Sequence, residues 1–445
     1  MKKHRITALL LAAIPSALLL TGCAFGSSID NLMTPPKLSV EQEQIYSALT
    51  DATGPSISLK YPKSGKYLSA FIVEDIDNDG GNEAIVFYER TGLTMEENTL
   101  RMNVLDQGEG KWRSVSDDPV EGAEIEKVMI SQLGSNNRVN IIIGSSLINR
   151  SEKNVTIYNY VPEEGRLSPN FSSSCSFIDV TDLDSDGQNE FLLLAGSAMG
   201  APATAEVYKL NEEGLYHKYS KRLSGNFTEF DSLRYGDIGG GRRGLYIDAL
   251  SGTGAIQTDV IYMDSSGLNK VFETPEDSLV TVRPAGCSSS DIDGDGMLEI
   301  PVQINAAGYE DVSESEQMKL TNWMYISKDN RLERKYTSYY SVNEGYIFVF
   351  PQNWRNRVTV KRDAINGGEL VFCTYSDGQM GRELLRIYCA EDTASREDRL
   401  SNGYMLLRTK GETSYLAYIP PYSELYDDDL SAAAGDIAVG FTFAN

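Results

Sequence analysis

The chain contains the stretch Asp75-Ile76-Asp77-Asn78-Asp79-Gly80-Gly81-Asn82-Glu83, with carboxylates at positions 1, 3, 5 and 9 and a glycine at position 6. The glycine permits a sharp turn, and the carboxylates around it offer oxygens of the kind that wrap a hard divalent cation such as calcium. Carboxylates this close together repel one another unless a cation lies among them. A polar, solvated turn between two strands is the alternative interpretation.

The same design recurs at residues 182–190 and 291–299, and we call the three stretches loop one, loop two and loop three. Each loop is predicted to hold one structural Ca²⁺, which gives about three ions in the chain. The predicted ligands occupy positions 1, 3, 5, 7 and 9 of each loop: Asp75, Asp77, Asp79, Gly81, Glu83, Asp182, Asp184, Asp186, Gln188, Glu190, Asp291, Asp293, Asp295, Met297 and Glu299.

These loops differ from an EF-hand, which needs a bidentate Glu at position 12 between two helices. Position 12 is instead apolar, as Val86, Leu193 and Val302. Each loop runs directly into a short apolar segment of the kind typical of a buried strand. The loops are therefore predicted to lie within β-structure.

Two degenerate copies of the loop, starting at Gln132 and Asp237, lie between the complete ones. The five starting positions, 75, 132, 182, 237 and 291, are separated by 57, 50, 55 and 54 residues, and such a period indicates a repeat architecture. Each unit also contains a hairpin turn ending in glycine, or once in Asn330. Each unit is thus predicted to have four strands: one before the loop, one after it, and a hairpin pair.

The loop D-x-D-x-D-G-x-x-E, placed between the first two strands of such a unit, resembles the FG-GAP or VCBS repeat, the blade of the integrin α-subunit head. The resemblance covers about residues 65–342, and the motif is complete in the first, third and fifth units. It implies a mainly β fold, a β-propeller of about five four-stranded blades over residues 56–342. Calcium loops of this family stiffen the structure.

Five units are fewer than the seven blades that the family commonly forms. Either the ring has five blades, with an N-terminal strand near residues 56–61 closing the last one, or segments without a loop complete a sixth. After residue 342 the repeat stops, and residues 343–445 are predicted to form a small α+β domain.

The N-terminus begins Met1-Lys2-Lys3-His4-Arg5, continues with an apolar run and reaches Leu20-Thr21-Gly22-Cys23. This order is typical of a secretory signal, and cysteine after Leu-x-Gly resembles the bacterial lipobox. Residues 1–22 are therefore predicted to be a lipoprotein signal peptide, and Cys23 the lipidated residue that anchors the protein at the extracytoplasmic face of the cell membrane. Residues 23–55 are predicted to be a tether and a short helix. An uncleaved N-terminal anchor is the alternative.

Composition excludes several classes of function. The formal net charge of −24 argues against nucleic acid as a partner. The two histidines, His4 and His217, leave too little material for a Ser-His-Asp triad or for histidine-rich zinc chemistry. Cys373 and Cys389 flank a turn between predicted strands, so either a cross-strand disulfide or two free thiols is compatible with the sequence.

A non-enzymatic module that binds an unknown protein or glycan is the function predicted from these observations, because a propeller gathers loops from every blade on one face. The alternative is a glycoside-cleaving enzyme that uses a carboxylate pair. A third hypothesis is a scaffold whose C-terminal domain holds a membrane partner. Aromatic candidates for ligand contact are Tyr235, Tyr309, Tyr336, Tyr339 and Tyr340, although strand packing is the preferred explanation for each one singly.

Overall fold

The structure is a computed structural model, and it describes residues 38–92, 100–147, 153–198, 200–252, 254–421 and 429–444. The described residues are mainly β, with strands arranged in six antiparallel sheets that we number in chain order. The four α-helices of the described residues are α1 (Val40–Thr53), α2 (Pro275–Ser278), α3 (Thr393–Ser401) and α4 (Ala434–Gly440). Single 3₁₀ turns lie at Pro162–Glu164, Leu279–Thr281, Glu314–Glu316, Gln352–Trp354 and Ala364–Asn366.

Five of the sheets correspond to the five repeat units, and the sixth lies in the C-terminal region. The first sheet contains β1 (Ile57–Lys60), β2 (Phe71–Glu74), β3 (Glu83–Arg90), β4 (Arg101–Gly108) and β5 (Lys111–Pro119). The second contains β6 (Glu124–Gln132), β7 (Val139–Ser146), β8 (Lys153–Val161) and β9 (Arg166–Cys175). The third contains β10 (Phe177–Thr181), β11 (Glu190–Ala195), β12 (Thr204–Leu210) and β13 (Tyr216–Arg222).

The remaining sheets are larger. The fourth contains β14 (Phe227–Asp237), β15 (Arg243–Ser251), β16 (Ala255–Asp264), β17 (Gly267–Lys270) and β18 (Arg283–Pro284). The fifth contains β19 (Ile300–Asn305), β20 (Lys319–Ile326), β21 (Leu332–Ser341), β22 (Tyr346–Val349) and β28 (Phe441–Phe443). The sixth contains β23 (Val358–Asp363), β24 (Glu369–Ser376), β25 (Gln379–Ala390), β26 (Met405–Lys410) and β27 (Thr413–Tyr418).

The predicted hairpins are confirmed in all five units. They join β4 to β5, β8 to β9, β12 to β13, β16 to β17 and β20 to β21. The predicted left-handed residue is present in each turn: φ is 75° at Gly110, 56° at Gly165, 79° at Gly214, 108° at Gly267 and 58° at Asn330. His217 lies on β13, the edge strand of the third sheet, and is exposed.

Continuous apolar runs form the second strands because both faces of these sheets are buried. On β11, Leu192 and Leu194 pack toward the fourth sheet, whereas Phe191 and Leu193 pack toward the second. Side chains alternate between the two faces of a strand, so a strand buried on both faces needs apolar residues at every position. Separate apolar clusters join the first sheet to the second, and so on through the fifth to the sixth.

Helix α1 covers the remaining face of the first sheet. It starts with a capping box between Ser39 and Gln42, and it buries Ile45 and Leu49 against that sheet. Within the described residues, none of the apolar clusters joins the first sheet to the fifth or sixth. The ring closure predicted from the repeats therefore stays a prediction.

Two segments pair differently from the prediction. Residues 57–60 pair with β3 in the first sheet, and do not close a last blade. Strands β22 and β28, which lie beyond residue 342, pair within the fifth sheet. The end of the fifth sheet thus does not coincide with the predicted boundary, because the chain returns to that sheet at its C-terminal end.

Cys373 and Cys389 are free thiols, and the strand register explains this: Cys373 pairs with Thr359 and Glu383, whereas Cys389 pairs with Tyr415. The predicted signal peptide and Cys23 lie outside the described residues. Among the described helices, none has the length and apolar character needed to cross a membrane.

Candidate functional site

The three acidic loops occupy equivalent places in their sheets. Loop one joins β2 to β3, and loop two joins β10 to β11. Loop three leads into β19, and a two-residue bridge between Ser290 and Glu299 closes its base. In every case, the position-9 glutamate stands at the start of an apolar strand, which fixes that carboxylate at the sheet edge.

The same hydrogen bonds shape all three loops. The position-9 carboxylate accepts from the backbone N–H of position 2, as in Ile76 N to Glu83 Oε2 at 2.9 Å. The equivalent distances are 2.7 Å in loop two and 3.0 Å in loop three. The position-1 aspartate accepts from the N–H of the position-6 glycine at 3.1, 2.9 and 2.8 Å. That glycine has φ of 88°, 86° and 89° in the three loops, which a residue with a side chain rarely adopts.

Most of the predicted carboxylates come together. In loop two, oxygens of Asp182, Asp184, Asp186 and Glu190 all lie within 4.8 Å of one another. The corresponding groups are Asp75, Asp77 and Glu83 in loop one, and Asp291, Asp293 and Asp295 in loop three. The position-7 residues, Gly81, Gln188 and Met297, donate their N–H groups to the position-5 carboxylate. Gly81 and Met297 have no side-chain oxygen, so the ligand that position 7 can offer in loops one and three is its backbone carbonyl oxygen.

Burial makes the position-9 glutamates unusual acids. Glu83 is 2 % exposed, and both Glu190 and Glu299 are 0 % exposed. Loss of solvation raises the pKa of Glu83 to about 7, with a further contribution from the negative charges of Asp77, Asp79 and Asp75. Loss of solvation likewise raises the pKa of Glu190 to about 7 and raises that of Glu299. Each loop therefore holds a buried carboxylate that a cation would stabilise in its charged form.

Two lysines that the sequence motif did not reveal enter loops two and three. Lys209 Nζ lies 2.8 Å from Asp184, 2.7 Å from Asp186 and 3.0 Å from Glu190. Lys335 Nζ lies 2.8 Å from Asp293, 2.6 Å from Asp295 and 3.0 Å from Glu299. Both ammonium groups thus contact positions 3, 5 and 9.

Loop one has no such contact among the described residues. Across the sheet from Glu83 stands Asp106 on β4, at the register position that Lys209 occupies in the third sheet. The backbone bulge that carries Lys335 in the fifth sheet carries Val115 in the first. The sequence motif alone does not reveal these differences, because they depend on which residues the register places opposite each loop.

The degenerate copies are held by protein groups. In the fourth unit, the guanidinium of Arg242 donates to the carbonyl oxygens of Ile238 and Gly239 at 3.1 Å. In the second unit, Asn136 Oδ1 accepts from Arg138 N at 2.9 Å, and Asn136 Nδ2 donates to two carbonyl oxygens of the third sheet's hairpin. Protein groups thus satisfy polar atoms of both degenerate turns.

A cavity of about 430 Å³ lies between the fourth and fifth sheets, beside loop three. It brings together two carboxylates, a guanidinium, a hydroxyl and two aromatic side chains: Asp231, Asp291, Arg234, Ser288, Tyr340 and Trp323. Asp231 accepts a hydrogen bond from Ser288 Oγ at 3.0 Å and is otherwise exposed. Of the aromatic candidates named from sequence, Tyr340 lines this cavity.

A buried ion pair holds the segment that leads into loop three. Arg283 Nη2 donates to Asp248 Oδ1 at 2.9 Å, and the two side chains are 0 % and 1 % exposed. Asp248 also accepts from the N–H and hydroxyl of Ser289, the residue before the bridge at the base of loop three. This pair thus fastens loop three to the fourth sheet.

Comparisons with known proteins give only remote likenesses. No family model matches the chain, and no curated protein matches it. An exotype rhamnogalacturonan lyase aligns over 74 % of this chain and 73 % of its own, with 11 % identity and a TM-score of 0.28. A periplasmic gluconolactonase of Pseudomonas aeruginosa aligns over 74 % and 88 %, with 12 % identity and a TM-score of 0.27. An exo-beta-1,3-galactanase of Phanerochaete chrysosporium aligns over 76 % and 80 %, with 10 % identity and a TM-score of 0.22.

These comparisons contradict the prediction of a non-enzymatic binding module, since each of the three named proteins is an enzyme. The alternative, a carbohydrate-active protein, agrees with them better. At TM-scores of 0.28 and below, however, the alignments carry no argument for a particular activity. Arguments about what this chain does therefore start from its own residues.

Proposed function

We propose that the chain is an FG-GAP/VCBS-like repeat protein whose acidic loops bind calcium and stiffen a β-propeller. The observation that carries this proposal is the set of hydrogen bonds that the three loops share, together with the clustering of at least three carboxylates in each loop. The buried position-9 glutamate belongs to the cluster in loops one and two, whereas the cluster in loop three consists of Asp291, Asp293 and Asp295. Calcium suits this donor set because it prefers several carboxylate and carbonyl oxygens in a flexible arrangement.

Contacts between neighbouring sheets support a propeller of about five blades. Ser64, ahead of β2, forms a parallel bridge with Lys127 on β6, and Asp237 on β14 forms one with Met297 in loop three. Blades that radiate from a common axis place the first strands of neighbouring sheets side by side and parallel, as these bridges do. Burial of both faces of the second, third and fourth sheets supports the same arrangement.

Calcium titration of the purified full chain tests the cation proposal. We expect saturable binding by calorimetry, and the Asp77→Asn variant should lose the binding that loop one contributes. Magnesium should bind more weakly, because it demands near-ideal octahedral geometry and loses its water reluctantly. Absence of calcium binding at millimolar concentration would show that the loops are acidic turns and would end this proposal.

As a second function, we propose activity on carbohydrate at the cavity between the fourth and fifth sheets. Two carboxylates, those of Asp231 and Asp291, line the cavity, and glycoside cleavage uses one carboxyl group to protonate the leaving oxygen and another to attack or to activate water. Asp291 already accepts N–H bonds from Gly294, Asp295 and Gly296. Asp231 is exposed and accepts a hydrogen bond from Ser288 Oγ, so we assign proton exchange with a ligand to Asp231.

Replacement Asp231→Asn should reduce cleavage of a responsive oligosaccharide by about a hundredfold or more, because it removes proton transfer. The measurement is release of reducing ends from a panel of neutral and acidic oligosaccharides. The matched control is Glu229→Gln, which changes an exposed carboxylate on the same strand outside the cavity. Equal activity in Asp231→Asn and the unchanged chain, or no cleavage of any member of the panel, contradicts this function.

Lipid attachment at Cys23, with the protein held at the extracytoplasmic face of the membrane, remains a proposal that rests on the sequence alone.

A further inference from the structure

The ammonium groups of Lys209 and Lys335 lie where the proposed calcium ions would lie. Each is within 3.0 Å of the carboxylates at positions 3, 5 and 9 of its loop. A divalent ion bound by the same oxygens would be in van der Waals contact with the ammonium group, and two positive charges that close repel strongly. The lysine and the ion therefore cannot occupy one loop together in this arrangement.

The two lysines reach this position from different strands. Lys209 lies on β12, next to Tyr208, which pairs with Phe191 of β11. Lys335 lies one strand further from its loop, in the bulge on β21. Because their backbone origins differ, a shared strand position does not explain the common contacts. What the two loops share is a group of three carboxylates, one of them a buried glutamate, that favours a positive charge at its centre.

The carboxylates around Lys209 and Lys335 favour the charged form of each ammonium group. Burial alone would lower the pKa of Lys209, but the polar contacts that its ammonium group makes with Asp184, Asp186 and Glu190 outweigh burial, and the pKa is raised. The pKa of Lys335 is raised for the same reasons by Asp293, Asp295 and Glu299. Each side chain is 19 % exposed, so a lysine displaced by an ion could swing into solvent.

Loop one differs at both equivalent positions. Asp106 stands where loop two has Lys209, and Val115 stands where loop three has Lys335. Asp106 adds a negative charge near Asp77 and Glu83, where the other loops receive a positive one. Within the described residues, no lysine or arginine nitrogen lies within ion-pair distance of a loop-one carboxylate.

We propose that Lys209 and Lys335 are tethered cations that neutralise loops two and three and compete there with calcium, so that calcium binds tightly at loop one and more weakly at the other two. This inference rests on the proposed calcium function and assigns an order of affinity to its three sites. It makes loop one the site whose structure depends on calcium, and it lets loops two and three keep their shape at low calcium.

Calorimetric titration of the full chain with calcium chloride tests the order of affinities. The unchanged chain should show one tight site and two weaker ones. Lys209→Met should convert one weak site into a tight one, with a gain of at least about tenfold, which corresponds to about 1.4 kcal/mol. Lys335→Met should do the same for loop three. Lys218→Met, which removes a lysine that pairs with Glu206 on the third sheet, should leave all three affinities unchanged.

The reciprocal change places the lysine in loop one. Asp106→Lys should weaken the tight site by at least about tenfold, because it supplies the competitor that loop one lacks. Asp106→Lys also gives a second test if Lys209→Met fails to fold. The expected change in calcium affinity is a loss in Asp106→Lys and a gain in Lys209→Met. Circular dichroism of each variant in calcium checks that the fold is retained.

The possible outcomes distinguish a failure of the tethered-cation inference from a failure of the calcium-binding proposal. Three equal sites that neither lysine variant changes would overturn the tethered-cation inference and leave calcium binding intact. No calcium binding in the unchanged chain and in both lysine variants would overturn the calcium proposal as well. An unchanged tight site in Asp106→Lys would also contradict the inference.

Discussion

Glu83→Gln is expected to stabilise the protein in a calcium chelator and to destabilise it in calcium, relative to the unchanged chain. Glu83 is buried at position 9 of loop one, and its carboxylate faces three aspartates without a compensating cation among the described residues. Glutamine has the same shape and keeps an oxygen that can accept the N–H of Ile76, so the change removes mainly the charge. A mere acidic turn would gain stability from this change under both conditions.

In chelator, the stabilising effect of Glu83→Gln should depend on pH. The pKa of Glu83 rises from 4.5 to about 7 in the folded protein, first through loss of solvation and then through the nearby aspartates. A carboxyl group with a raised folded pKa contributes stability that is present below its unfolded pKa and is lost as the pH rises through its folded pKa. The stabilising effect of Glu83→Gln in chelator should therefore be absent at pH 4, grow between about pH 4.5 and pH 7, and level off above that range.

In calcium, Glu83→Gln should lower the free energy of unfolding, because the ion binds the folded chain and needs the charged carboxylate. An ion at a concentration one hundred times its dissociation constant stabilises the folded state by about 2.7 kcal/mol, and Glu83→Gln should forfeit most of this. The measurement is the free energy of unfolding in urea, with calcium and with chelator. Glu89→Gln is the control, because Glu89 lies on the same strand, pairs with Lys60 and takes no part in the loop. A stabilising effect of Glu83→Gln in both conditions contradicts a cation site at loop one.

Short local patterns in the sequence predict many of the strands and one helix. The loop motif places position 1 and position 9 at the ends of two strands, and each hairpin turn has a residue suited to positive φ, so short stretches were sufficient to locate strands in all five units. The helix near residues 40–53 was likewise predictable, because Ser39 and Gln42 provide its capping box locally.

Strand pairings between residues far apart in the sequence could not be predicted from local patterns. Nothing near Phe441 indicates that β28 returns to pair with β22, almost one hundred residues earlier in the chain. The site has the same limitation: the motif identifies the carboxylates, but Lys209 and Lys335 reach them through strand register and a bulge. Asp106 and Val115, which distinguish loop one, are ordinary strand residues in the sequence.

Asp248 and Arg283 illustrate why a buried pair escapes sequence analysis. They are 35 residues apart, and neither belongs to a motif. Their partners, Thr258, Thr281 and Ser289, are also buried and come from three separate segments of the fourth unit. Only the folded chain shows that this network supports the base of loop three.

Arg283→Met should destabilise the protein by about 3–5 kcal/mol, the cost of leaving one charge of a buried pair without its partner. Methionine fills similar space, so the loss comes from the uncompensated carboxylate of Asp248 and from the unpaired carbonyl oxygens of Thr281 and Cys287. Urea unfolding measures the effect. Adding Asp248→Asn should recover part of the loss, because the amide is uncharged and can still accept from the N–H of Ser289.

Hydrogen exchange can test whether Arg283→Met also affects loop three. The N–H of Glu299 donates to the carbonyl oxygen of Ser290 at 2.9 Å, and Ser289 is held by Asp248. Hydrogen exchange in peptides covering residues 290–299 should therefore accelerate in Arg283→Met, whereas exchange in loop one should not, because loop one lies in a different sheet. Arg357→Met is the matched control: its pair with Asp429 is exposed, so its loss should cost about 0–1 kcal/mol. Equal costs in the two variants, with equal exchange in both loops, would show that the buried pair neither stabilises the fold nor positions loop three.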